Sequence, residues 1–145
     1  MILRARDALV RMSSLFYEKY GSEVLPIISE VWYELGKSNP APLRGDSTSP
    51  DFKSVLINFH NRAQEDSARR NTVPPRLEEL TNSVFHYSHI QDQCPLRLKG
   101  RDLCEAIMYI DKGQIEAAMD NPVEFEIIRS AAAGDGCCEI VVRKI

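Results

Sequence analysis

The sequence predicts an α+β fold, with N-terminal helices packed on a small antiparallel sheet that ends in a C-terminal β-hairpin. Three observations carry that expectation. Apolar residues recur at three- to four-residue spacing up to about residue 68, the run Asn82–Ile90 is β-branched and aromatic, and residues 122–145 alternate with period two around a Gly-Asp-Gly turn. Helices first and a hairpin last is the order of a sheet covered on one face by helices.

Each element follows from local pattern. Leu9, Met12, Phe16 and Tyr20 form the first helical stripe, which Gly21-Ser22 stops while offering a new N-cap. A second helix starts near Glu23, with Val24, Ile27, Ile28, Val31 and Leu35 on one stripe and Gly36 near its end. Residues 38–50 are rich in turn formers and predict an exposed connection. Ser49-Pro50-Asp51 opens a third helix, with Pro50 at the first helical position and Phe52, Val55, Leu56, Phe59 and Ala63 as its apolar face; His60 is expected at the surface or edge. A polar stretch through Pro74-Pro75 precedes the strand at 82–90, and Pro95 ends that unit. Between Gly100 and Asp120 the spacing predicts a helix bearing Leu103, Cys104, Ile107 and Met108, then a second short helix with Ile115 and Met119. Val123, Phe125 and Ile127 then alternate with Glu124 and Glu126, Gly134-Asp135-Gly136 turns, and the return strand puts Cys138, Ile140 and Val142 on one face against Cys137, Glu139, Val141 and Arg143. Two strands alone would be marginal, so a third or fourth is expected.

At 145 residues the chain suits one domain, 1–145, with a helical half at about 1–68 and a strand, helix and hairpin half at about 80–145. Its 27% charged and 43% hydrophobic residues are those of a soluble globular protein. A net charge of −3 without a basic cluster argues against nucleic acid. Charges interrupt the opening Met-Ile-Leu-Arg-Ala-Arg-Asp, so no membrane span or signal segment can be drawn, and the cytoplasm is the expected compartment.

The four cysteines, Cys94, Cys104, Cys137 and Cys138, all lie in the last third of the chain, and a reducing compartment favours thiols or metal ligands over disulfides. Adjacent Cys137 and Cys138 face opposite ways, leaving Cys138 on the core side. A core cysteine is most simply a small apolar residue. No tight Cys pair of zinc-site spacing occurs, yet Cys94, Cys104, Cys138 and one His could converge in the fold, which leaves zinc open as a cofactor. His86 and His89, three apart in a strand, face opposite sides. With Val84 and Ile90 buried His86 points inward, and with Phe85 and Tyr87 buried it points outward. An inward His86 could act as general base or ligand. Asp135 suits a turn-capping role, and Arg129 suits either a substrate carboxylate or a cross-strand Glu.

Gln93-Cys94-Pro95, Leu103-Cys104-Glu105, Val123-Glu-Phe-Glu and Ala133-Gly-Asp-Gly-Cys-Cys-Glu-Ile resemble the closing half of the L-2-amino-thiazoline-4-carboxylic acid hydrolase-like family. The same ending is similar to the V4R domain, a small α+β sensor module whose Cys-x7-Cys bracket feeds a terminal strand. Here Ser130 holds the first bracket position and Cys138 the second, which removes one thiol from the V4R zinc pattern. The hydrolase resemblance implies water-driven opening of a thiazoline ring, with Cys104 or Cys138 as nucleophile, His86 as base, and Arg129 or Arg101 holding the substrate carboxylate. The V4R resemblance implies instead a non-catalytic small-ligand-binding or accessory module with structural cysteines. A small molecule is the expected partner under both, and a homo-oligomer is compatible with either.

Overall fold

A computed structural model describes residues 4–90 and 94–145. The chain runs α1 (Ala5–Tyr20), a 3-10 turn (Gly21–Val24), α2 (Leu25–Lys37), the one-turn α3 (Ala41–Arg44), α4 (Phe52–Arg70), β1 (Arg76–Leu80) and β2 (Val84–Ile90). It continues with α5 (Arg101–Met119), β3 (Val123–Arg129), a 3-10 turn (Ala131–Ala133) and β4 (Cys137–Lys144). The strands form one antiparallel sheet in the order β1-β2-β4-β3. This is the α+β arrangement that the patterns predict, with the terminal strand β4 at the centre of the sheet.

The strand the sequence does not announce is β1. Its Arg-Leu-Glu-Glu-Leu is an edge strand, bulged between Leu77 and Glu79, and only Leu77 and Leu80 lean on the core. Charged side chains suit an edge, where they discourage pairing with another chain. The β1–β2 turn is closed by Thr81, whose hydroxyl accepts from the Ser83 and Val84 N–H groups.

Several helical details differ from expectation. The predicted pair of helices between Gly100 and Asp120 is one 19-residue helix, because Gly113, mid-helix, serves close packing and not a break. α4 begins at Phe52 with Asp51 as its N-cap, Oδ1 accepting from Ser54 N–H at 2.9 Å, so Pro50 lies outside the helix. On α2 the buried line is Ile28, Trp32 and Gly36, continuing from Val24 in the preceding turn; Ile27, Val31 and Leu35 are exposed. Met12 and Tyr20 of α1 are likewise exposed. The connection after α2 is anchored where it was expected to be open: Leu43 is fully buried, and Arg44 donates to the carbonyls of Ala117 and Ala118 at 2.8 and 3.4 Å. A guanidinium there satisfies carbonyls that the end of α5 leaves without helical partners.

The tightest junction is between α2 and α5. A Cβ at Gly36 would overlap the Ile110 carbonyl, and a Cβ at Gly113 would overlap the Tyr33 carbonyl. Each helix therefore presents a glycine to the backbone of the other. Trp32, with none of its surface exposed, fixes α1 to the same helix: its Nε1 donates to Ser13 Oγ at 3.0 Å, and Ser13 donates on to the Leu9 carbonyl at 2.9 Å.

Replacing glycine by alanine inside a helix normally stabilises by about 0.5–1 kcal/mol. Here the sign reverses, since the added methyl would force two packed backbones apart, an overpacking effect of about 1–3 kcal/mol. Urea unfolding of Gly113→Ala and Gly36→Ala should each show a lower midpoint than the parent protein.

Candidate functional site

The parity of β2 and β4 decides which polar residues can meet. Phe85, Tyr87 and His89 stand opposite Val142, Ile140 and Cys138, and the buried Phe85 and Val142 mark this as the inner face. His86 stands opposite Val141 and therefore points outward, the alternative that Phe85 and Tyr87 favour. It approaches Glu139 Oε2 at 3.0 Å, and Arg129 Nε donates to Glu139 Oε1 at 3.0 Å. The His86 hydrogen bond, ahead of the Arg129 charge, holds the Glu139 carboxyl below its usual range. Arg129 thus has the cross-strand glutamate as its partner.

On the inner face the thiols gather where the start of α5 meets the start of β4. Cys104 is buried on α5, Cys138 is half-buried on β4, and Cys94 packs on the core at the edge of the undescribed residues 91–93. The loop back to α5 is tied to the second 3-10 turn by Leu98 N–H to Ala131 O and Gly100 N–H to Ala132 O. Ser130, fully buried, hydrogen-bonds the Cys104 thiol and caps that turn through Ala132 N–H at 3.2 Å. Asp135 completes the turn by accepting from Ser130 N–H at 2.9 Å, the capping role its sequence context suggests.

Burial pushes the Cys138 thiol up to about 11, opposed by the Ala131 N–H and reinforced by repulsion from Cys104, Cys94 and Cys137. Burial likewise raises Cys104, against the Ser130 hydrogen bond. Both are therefore protonated thiols at neutral pH, whereas nucleophiles and metal ligands need thiolate. Arg101, at the start of α5, donates to Glu105 at 3.1 Å and to the Ile127 carbonyl. The structure brings Cys104 and Cys138 together and keeps His86 and Arg129 on the other side of the sheet. Among the described residues, no group of three or more Cys, His, Asp or Glu side chains could hold a metal ion.

One residue expected at the surface is instead buried with an unsatisfied ring nitrogen among the described residues. His60 is 6% exposed, and among the described residues its Nδ1 has no hydrogen-bond partner. It sits in an aromatic cluster, with Phe85 at 6.4 Å between ring centroids, and with Phe59, Phe85 and Tyr87 stacked edge-on or tilted on one another. The signal was present in the sequence: Phe52, Leu56 and His60 share an i, i+4, i+8 line on α4, which puts the imidazole on the buried stripe. Burial lowers its pKa, so the ring is held neutral. A buried polar atom without a partner costs about 1–3 kcal/mol, which a ligand able to bond it would recover.

Two measurements test these environments. His60 ordinarily titrates near 6.5 and is lowered in the folded chain, so below pH 6.5 the unfolded state gains a proton that the folded state resists. Stability should fall as pH drops through this window, and the His60→Leu variant should lose that part of the fall. Iodoacetamide at neutral pH should label Cys138 and Cys104 far more slowly in the native protein than in urea, as read by mass spectrometry.

No protein-family model and no curated protein matches the sequence. Solved structures do. The crystal structure of the phenol-responsive sensory domain of the transcription activator PoxR, with phenol, matches 99% of this chain and 76% of its own, at 14% identity and a TM-score of 0.63. A trafficking protein particle complex subunit 3 from Naegleria fowleri, covalently bound to palmitic acid, matches 92% of this chain and 95% of its own, at 16% identity and a TM-score of 0.51. At these identities the likeness is one of fold, and it places the chain among small α+β domains of that shape.

Proposed function

We propose that this chain is a non-catalytic, V4R-like module that binds a small aromatic alcohol in its interior. The observation that carries the reading is the orphaned Nδ1 of His60 inside the Phe59, Phe85 and Tyr87 cluster. A neutral imidazole nitrogen can exchange one hydrogen bond with a hydroxyl, while aromatic walls contact a ring edge-on. The fold shared with a phenol-responsive sensory domain supports the same ligand class. These side chains are closely enclosed, so a ligand would enter by displacing them and would order the helix–sheet contact as it binds.

The hydrolase reading needs an activated thiol beside a base. The raised thiols of Cys104 and Cys138, and the placement of His86 across the sheet, favour binding over that chemistry.

Calorimetric titration of the full chain with phenol and with toluene tests the proposal. Phenol should bind more tightly by about 1–3 kcal/mol, the worth of satisfying a buried polar atom. His60→Leu should fold at least as stably as the parent, because it removes an unsatisfied nitrogen, and should lose the preference for the hydroxyl. Equal binding of the two compounds, or an unchanged preference in a folded His60→Leu protein, would overturn the reading.

A further inference from the structure

α5 runs along the free edge of β3 and covers it only at the two ends. At one end the Val123 N–H donates to Glu116 Oε2 at 2.9 Å, and at the other the Arg101 guanidinium donates to the Ile127 carbonyl. Both backbone groups therefore point away from β4. The opposite strand agrees: Lys144, paired with Val123, sends its N–H to the Ser83 carbonyl on the β2 side at 2.9 Å. In an antiparallel ladder, bonded and non-bonded pairs alternate along the strand. Phe125, paired with Val142 midway between Val123 and Ile127, must then turn its own N–H and C=O to the free edge. Among the described residues nothing bonds either group there.

Beside this exposed pair lies a cleft of about 210 Å³ between α5 and β3. Met108 and Tyr109 wall it from the helix, and Phe125 and Ile127 from the strand. Most of its charges are already used. Arg101 is held by Glu105 and the Ile127 carbonyl, and Glu126 by Arg143 at 2.8 Å. Lys112 is different: its ammonium stands 5.4 Å over the Tyr109 ring and, among the described residues, pairs with no carboxylate.

The geometry points to this cleft as a second binding site, separate from His60, for a small carboxylate that carries one secondary amide and an apolar side chain, the chemistry of an N-acylated amino acid. The ligand's amide N–H donates to the Phe125 C=O and one of its carboxylate oxygens accepts the Phe125 N–H, a strand addition one residue long. Its side chain rests on Met108 and Phe125, and its carboxylate meets Lys112. Glu116 and Arg101 set the length limit, since they occupy the edge positions on either side and leave no room for a longer strand. The size of the cleft agrees, being below the roughly 300–1,000 Å³ of drug-sized sites.

Titration of N-acetyl-L-leucine into the full chain, followed by amide nitrogen–proton correlation spectra, tests the site. The Phe125 amide is expected among the largest saturable shifts. Lys112→Met should weaken binding on the order of tenfold, as expected for loss of a charge-assisted contact. The methyl ester should bind parent and variant equally, and the N-methylated amide, which has no N–H to give, should bind neither. His60→Leu should leave N-acetyl-leucine affinity unchanged while altering the phenol response, so the two sites can fail independently. Saturable binding that leaves Phe125 unmoved, equal affinity in Lys112→Met, or no saturable shift in a folded protein would each overturn the proposal.

Discussion

The close approach of α2 and α5 is the constraint on which the rest of this structure depends. Two helix backbones can meet this closely only where each offers a residue without a side chain, and Gly36 and Gly113 do so reciprocally. Once α5 is fixed, Glu116 can reach both neighbours. It accepts the Tyr33 hydroxyl from α2 and the Val123 N–H from β3, and that bond helps push the Tyr33 hydroxyl up to about 12. One carboxylate thus couples a helix–helix contact to the edge of the sheet. The opposite end of α5 carries Cys104 and Arg101 to their places beside Ser130 and Ile127.

Strand parity then separates the polar residues into two groups that cannot cooperate directly. The outer face of β2, β4 and β3 holds His86, Glu139 and Arg129 in one partly exposed hydrogen-bonded relay centred on Glu139. The inner face holds the aromatic rings, Cys138 and Cys104 in a low-dielectric setting that keeps thiols protonated. The same burial that silences the cysteines leaves His60 neutral and unsatisfied.

Much of the fold was legible. Single-face alternation marked β3 and β4, a β-branched and aromatic run marked β2 with its buried face left open, and the Gly-Asp-Gly segment placed the connection before β4, although a 3-10 turn at Ala131–Ala133 lengthens it. β1 was not legible because its polar residues face solvent at an edge, so nothing marks it as buried. On α2 the apolar residues ring much of the helix, and choosing between Ile27-Val31-Leu35 and Ile28-Trp32-Gly36 needed knowledge that the glycine side meets α5. The cysteines could be assigned to faces, and Cys138 to the core side, from periodicity alone. The separation of His86 from them, on the opposite face of the sheet, could not.

By itself the sequence determined the α+β order, most of the secondary elements and the faces of β3 and β4, because those follow from side-chain period and turn chemistry within a few residues. Only the tertiary structure decided which faces meet. Burial of His60 without a partner, the hydrogen bond between Ser130 and Cys104, and the uncovered Phe125 edge all arise from contacts between segments far apart in the chain. Periodicity names a face, but desolvation and hydrogen-bond satisfaction depend on what that face is packed against.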